Sequence, residues 1–487
     1  VQKPCLTTLY VFLFVEGNVM EIKCIQEYNL GQKLGQVRSV PVSLGKKGEG
    51  VLFAYSAHPN LDPWEEAFNF PTDTLKFAMF TRDGECLWVR DLGVAVIPGI
   101  WYTPFLSFDL DCDGIDEIWF VNNKNDEAPF SLNGRVLERF DPLTGETTGQ
   151  WPWPKTTARE TMSHMYRFFI AGGYVHGTPV LLTCQGTYGD MYLQAYNTGM
   201  EKRWEIKIAE DEPGARSSHV CPVIDFNNDG IDEIFWGERL LSLDDGHEVF
   251  CCDRERFRGH SDIIIPFKSR ADGKLYIYTC REGGEVSGQQ RVWLYDEYGE
   301  PVWHAVDSGH MHFGWVANMR EDYGKIAMAM RLNRVVIDGY MREATPDSFY
   351  FDALTGEPVE WTLPGKGADY MPLDFDGDGY HEFFCKSDEL AGGSKPVYPG
   401  WVIDRFGNKL SFVGGEQVRS GKIFNDIPGD QMMQFYGEEG VVRVWGCPDT
   451  VESDVYKDRH STPFHQFNQH LMGTGYNHIN AVLSCSM

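Results

Sequence analysis

One punctuation mark recurs down most of the chain: a polar residue, a turn glycine, then an aromatic a few residues on. It reads Arg82-Asp83-Gly84 then Trp88, Thr144-Gly145 then Trp151, Asn197-Thr198-Gly199 then Trp204, and Asp245-Gly246 then Phe250. It continues as Tyr298-Gly299 then Trp303, Thr355-Gly356 then Trp361, and Phe406-Gly407 then Phe412. Successive glycines lie 47 to 61 residues apart, a spacing near that of one four-stranded blade. A unit of that size cannot bury its own apolar strands, so the units must pack around a common axis. The expectation is an all-β chain forming a single closed β-propeller, with eight blades favoured and seven plus a tail as the alternative.

Blade four shows the order within a unit: His219–Ile224 as inner strand, 225–232 as an acidic turn, and Glu233–Trp236 as second strand. Leu240–Leu243, the turn at Asp245-Gly246 and Glu248–Cys251 complete it, with strand-type residues bounded by Gly, Asn and Asp. Helical periodicity of useful length is absent. Seven units run from about Gln36 to Gly414, and an eighth reads Lys422–Ile427, Gln431–Tyr436 and Val441–Trp445. Its outermost strand must come from one terminus, which would close the ring. Met20 reads as a natural start, with 1–19 as an upstream or disordered extension and 20–487 as the propeller.

Of the 487 residues 42% are hydrophobic, ample for one large core, and the net charge of −28 argues against a nucleic-acid partner. No run reaches the roughly 18 apolar residues of a membrane helix. The 12 cysteines are scattered without a CxxC pair, and no Asn-x-Ser/Thr sequon occurs. A monomer in a reducing, cytoplasmic setting is therefore favoured over a secreted one.

Three turns carry stacked carboxylates: Asp109-x-Asp111-x-Asp113-Gly, Asp225-x-Asn227-x-Asp229-Gly and Asp374-x-Asp376-x-Asp378-Gly. Alternate oxygen donors followed by glycine can wrap a hard cation such as Ca²⁺, and the flanking strands exclude an EF-hand. The bland alternative is an Asx-rich turn without metal. A degenerate copy at 425–430 reads as unmetallated. Because these turns join first to second strands, they face away from whatever the blade crossings build. Calcium is thus expected in a structural role.

The residues entering each inner strand tell a different story. Blades three to six place His164, His219, His260, and His310 with His312 at that mouth, and Arg167 lies beside the first. Loops opening on the same face supply Tyr188, Arg239, Arg281, Arg331 and Lys386. A single such histidine is most often a hydrogen-bonder between blades. Four in register with arginines make a cationic well that suits an anionic ligand, and uronic sugars fit better than phosphates because no phosphate loop occurs. A transition metal is a second reading, disfavoured by blade separation except at His310 and His312. No HExxH, GxSxG, Walker or GxGxxG pattern occurs.

The chain resembles the β-propeller polysaccharide lyases, the group of rhamnogalacturonan lyases with their ulvan and rhamnose–glucuronate relatives, over roughly residues 100–480. The residues that carry the resemblance are the Asp-x-Asp-x-Asp-Gly-x-Asp-Glu turns, His219-Val-x-Pro-Val-Ile-Asp, Leu243-Asp-Asp-Gly246 and Arg258-Gly-His260-Ser-Asp262. Asn425-Asp-Ile-Pro-Gly-Asp430 and Gly475-Tyr476-Asn477-His478 follow near the end. Gln431-Met-Met-Gln434 replaces the usual Trp-Arg-Glu-Glu, and Pro-Pro-His after Tyr-Asn is missing, which shifts the expected substrate from pectin type to ulvan or rhamnose–glucuronate polymers. The resemblance implies β-elimination at C4 of a uronate in a rhamnose-rich anionic polysaccharide or oligosaccharide. Its expected catalytic residues are His164, Tyr188, His260, Arg167 and Arg281. Substrate contacts fall to His219, His310, His312, Arg239, Arg331, Lys386 and Tyr476. The alternatives are a glycoside hydrolase releasing rhamnose and a non-catalytic, calcium-stabilised sugar-binding propeller.

Overall fold

A computed structural model describes residues 20–63, 70–125, 133–154, 162–282, 289–322, 324–337, 340–386 and 396–485. The extension expected at 1–19 lies outside them. Eight antiparallel sheets follow one another along the chain, seven of four strands and one of three. The inner strands, in order, are Gln36–Ser43, Phe105–Phe108, Phe168–Val175, Val223–Ile224, Ser261–Lys268, His310–Asn318, Tyr370–Leu373 and Glu416–Gly421. Blade eight takes its outer strand from the N-terminal side: Lys23–Asn29 pairs antiparallel with Val441–Gly446 and closes the ring. Its inner strand starts earlier than the sequence suggested. Glu416–Gly421 forms that strand, and 422–430 is the counterpart of an acidic turn.

At four of its seven positions the glycine–aromatic signature is an inter-blade joint. The ring of Trp88, Trp204, Phe250 or Trp303 covers the turn glycine of the next blade, at Gly145, Gly246, Gly299 or Gly356, where an added Cβ would meet ring carbons at 2.7–2.9 Å. These glycines also hold φ of 71–77°, so other side chains are excluded twice over. Trp88, Trp204 and Trp303 each donate Nε1–H to a turn carbonyl, of Pro142 (2.7 Å), Leu243 (2.9 Å) and Ala353 (3.1 Å).

The acidic turns form a second joint. The residue before the second strand accepts a backbone N–H from the preceding blade: Asp116 from Ser43 (2.6 Å), Asp232 from Tyr174 (2.7 Å), His381 from Asn318 (2.9 Å) and Asp430 from Asp374 (2.9 Å). The next residue turns back on its own loop. Glu117, Glu233 and Glu382 accept from Leu110, Phe226 and Phe375, each at 2.9 Å. In blade eight Gln431 takes this place, accepting from Phe424 at 2.7 Å. The degenerate copy therefore keeps the scaffold and drops the stacked carboxylates.

Eight blades leave a wide axis, and the C-terminal segment fills it. Arg459 binds Asp374 at the acidic-turn end (2.9 Å), and Asn468 bonds both backbone groups of Val223 (3.1 and 2.9 Å). His470 reaches Ser107 (2.8 Å), Gly473 accepts from Arg38 (2.9 Å), and Asn477 bridges Val37 and Gln417 (2.8 and 3.1 Å). Three short helices, Asp454–His460, Pro463–Asn468 and Asn477–Ala481, carry it. At five to seven residues they are too short to show a helical period, which is why none was legible. Ser453 and Thr462 cap the first two.

Candidate active site

On the face opposite the acidic turns, four histidines close around one buried carboxylate. Asp262 Oδ1 lies 3.0 Å from His260 Nε2 and 3.5 Å from His219 Nε2. Its Oδ2 lies 3.1 Å from His312 Nδ1 and 3.5 Å from His310 Nε2. Glu282 completes the group, 2.8 Å from His260 Nε2 and 3.2 Å from His310 Nδ1. Strand irregularities aim these residues: the pairing of blades five and six slips between Ser261 and Ile263 and between Met311 and Phe313, so Asp262 and His312 sit in bulges. The expectation that blade separation keeps the histidines apart is overturned. His219 and His260, from different blades, have ring centres 5.0 Å apart.

Burial pushes His219 well below its ordinary range, and the Arg167 cation adds to this against the pull of Asp262. Burial would raise the Asp262 carboxyl, but the surrounding histidines outweigh it and hold it well below the usual range. Neither Asp262 oxygen makes a well-aligned hydrogen bond despite these short approaches, and His310 Nε2 faces His312 Nδ1 at 3.1 Å. Donor atoms of His219, His260 and Asp262, and of Asp262, His310 and His312, each lie within 4.8 Å of one another. Crowded lone pairs of this kind fit a divalent cation, and the imidazole-rich set favours a transition metal over a hard, oxygen-seeking one.

Beside the cluster stands Tyr188, half-buried, its hydroxyl 3.4 Å from His260 Nε2. The half-buried His164 ring lies 5.6 Å from the tyrosine ring. Arg167 is sandwiched between Trp101 and Tyr188 at 4.8 and 5.2 Å, and its Nη1 has no hydrogen-bond partner. Tyr476, delivered by the channel segment, packs on Trp101 and His219 at 5.3 and 5.5 Å. Lys386 stands over Phe313 at 4.3 Å, and its charge acts with burial to hold His478 well below the ordinary histidine range.

Three predicted arginines are committed to other partners. Arg281 is fully buried, bound twice to Glu238 (2.8 and 2.5 Å), to Asp253 (3.1 Å) and to Tyr295 (2.6 Å), with its guanidinium 3.7 Å from the Phe257 ring centre. No edge remains for a substrate carboxylate, so its role is packing. Arg239 is spent on Glu248 and the carbonyls of Ala215 and Pro213. Arg331 turns to Asp347 at 2.9 Å. Asp262, Glu282, Asp62 and Trp101 were not singled out. Asp262 stands two residues after His260, but the bulge that aims it at the histidines leaves no mark in the sequence.

Among the acidic turns, Asp109, Asp111 and Asp113 bring carboxylate oxygens within 4.8 Å of one another, as do Asp374, Asp376 and Glu382. In the latter turn Arg459 already neutralises Asp374. The Asp225 turn repeats the wrap, with Asp229 N–H donating to Asp225 and Asn227, both at 3.0 Å.

Known proteins can now be set beside this geometry. No family model matches the chain. Two curated Bacillus subtilis proteins do: rhamnogalacturonan exolyase YesX, 30% identical over 198 residues, and rhamnogalacturonan endolyase YesW, 27% identical over 197. Each match covers 34% of this chain and 32% of the relative, so the chain spans about a third of the length of the curated relatives it matches. Among solved structures, the exotype lyase YesX superimposes with a TM-score of 0.69 at 19% identity, covering 93% of this chain and 80% of that one. The Bacillus licheniformis rhamnogalacturonan lyase PL11 gives 0.69 at 18%, with the same coverage. The fold is that of the rhamnogalacturonan lyases. The likeness of fold covers 93% of the chain, while the sequence match covers 34% of it.

Proposed function

We propose that the protein is a polysaccharide lyase that cleaves a uronate-containing, rhamnose-rich glycan by β-elimination. One observation carries the reading: a single half-buried hydroxyl, Tyr188, stands between two histidines with a guanidinium over its ring, next to a carboxylate–histidine cluster. The similar Bacillus proteins, named as rhamnogalacturonan lyases, support it and make rhamnogalacturonan the first glycan to test.

Elimination needs the uronate carboxylate neutralised, the C5 proton removed, and the leaving oxygen protonated as the C4–O bond breaks and the C4–C5 double bond forms. Arg167 offers its unpartnered Nη1 edge to the carboxylate. Burial pushes the Tyr188 hydroxyl well above its ordinary range, so it keeps its proton at neutral pH and serves as the acid. His164, half-buried beside it, is the base, while His260, 4% exposed and held by two carboxylates, orients Tyr188. Asp262, His310 and His312 would hold a divalent cation, which when bound would supply further charge neutralisation at the uronate. Calcium in the Asp109 and Asp225 turns is proposed as structural, on the far face.

Incubation with rhamnogalacturonan, ulvan and gum arabic, followed by absorbance of the unsaturated uronate, tests this. A rise on at least one glycan is expected. Folded protein with no rise on any uronate glycan would overturn the reading.

A further inference from the structure

One carboxylate beside the site belongs to none of the residues discussed so far as acid, base or ligand. Asp62 lies in the blade-one loop that follows Glu49–Ser56, on the histidine face. That loop is seated by Asn60, which accepts the Ile100 N–H (2.9 Å), and by Leu61, whose N–H bonds the Pro98 carbonyl (3.1 Å). The carboxylate, only 12% exposed, then meets three segments remote in sequence. Trp101 donates Nε1–H to Oδ2 at 3.2 Å, Tyr476 donates its hydroxyl to the same oxygen, and Arg167 Nη2 lies 3.4 Å from Oδ1.

These contacts fix orientation. Arg167 is 3% exposed between two aromatic rings; Ser163 Oγ accepts from its Nε and Nη2 (3.2 and 3.1 Å) and Asp62 supplies the charge on the Nη2 side, so the edge left over is Nη1. Tyr476 commits its proton to Asp62, and its oxygen is met by the Trp101 and Arg167 donors, so the four side chains form one unit. We propose that Asp62 is the positioning residue of the site, tying Tyr476 and Trp101 to Arg167 and setting Arg167 toward the uronate carboxylate. The proposal rests on the elimination reading for its substrate, although the positioning itself does not need the bond to break.

The test is a mutant cycle with the full chain. Asp62→Asn keeps the volume and removes the charge, Asp62→Glu keeps the charge one methylene further out, and Tyr476→Phe removes the hydroxyl. Expected on rhamnogalacturonan oligosaccharide is a fall in kcat/KM of about 10- to 100-fold in both Asp62 variants, mostly as raised KM, with melting temperature within a few degrees. The double variant Asp62→Asn/Tyr476→Phe should be no worse than the weaker single. A near-wild-type Asp62→Glu would show that charge alone matters, and losses that multiply would show that the two residues act separately; either overturns the proposal. If Asp62→Asn does not fold, Asp62→Glu and Tyr476→Phe decide it by the same criteria. Wild-type protein that yields no unsaturated product fails the elimination reading instead. Oligosaccharide affinity by calorimetry then replaces kcat/KM, with non-additive loss supporting Asp62 and additive or absent loss overturning it.

Discussion

Replacing Tyr188 by Phe isolates the chemistry from the packing. The change deletes one oxygen and leaves the ring, whose edge-to-face contact with His260 (4.8 Å) and cation contact with Arg167 (5.2 Å) persist. The hydrogen bond that is lost is long, 3.4 Å, so the stability change should stay within about 1 kcal/mol. A general acid contributes about 10²–10⁴ in rate, or roughly 2.7–5.4 kcal/mol of transition-state stabilisation. Burial holds the hydroxyl protonated through neutral pH, so the variant should lose kcat across the whole range and not only on one limb. Initial rates of unsaturated-product formation from rhamnogalacturonan, paired with a melting curve, give both quantities. A Tyr188→Phe enzyme within threefold of wild type would remove Tyr188 from the mechanism. A large fall in melting temperature would show that the hydroxyl is structural.

Arg281→Ala should act on stability and not on rate, because it strands the buried Glu238; about 3–5 kcal/mol is expected, read by denaturant titration, and a stable but inactive variant would contradict the packing role. Chelation should lower the melting temperature, by about 2.7 kcal/mol of mass-action stabilisation where free calcium was a hundredfold above Kd; a calcium titration that leaves the melting temperature unmoved would argue for metal-free turns. The channel histidines His460, His465, His470 and His478 all lie below the ordinary range, burial being the first cause. Unfolded chains therefore take up protons first, and stability should fall as pH drops below about 6.5, by at most roughly 1.4 kcal/mol per unit for each residue. Raised turn carboxylates such as Asp232, pushed up to about 6 by burial, work in the opposite direction, so melting should be followed with calcium saturating; stability rising steadily from pH 7 to 5 would refute the account.

The ring was legible because its joints recur once per blade: Trp88, Trp204 and Trp303 meet glycines that must be glycine, and that demand repeats in the sequence. The face carrying His164, His219, His260, His310 and His312 followed from strand order alone. What sequence could not show was direction. Arg281 and Arg239 lie at strand ends on the right face, yet their side chains turn to Glu238 and Glu248, a choice that a residue pattern does not record. The tightness of the histidine cluster depends on bulges at Asp262 and His312, which leave no mark in a residue pattern. The channel segment hid because its helices are held by the ring and not by their own periodicity. Tyr476 was placed by motif, but its partner Asp62, more than four hundred residues away, had no local signal.

On the proposed reading, the histidine face breaks a glycosidic bond by elimination. Reaction of rhamnogalacturonan in oxygen-18 water, with products weighed by mass spectrometry, separates this from hydrolysis. Elimination predicts an unsaturated fragment at the new non-reducing end and no heavy oxygen introduced by the cleavage step, corrected for slow exchange at reducing ends. A saturated pair of fragments that together gain one labelled water would make the protein a hydrolase and contradict the mechanism.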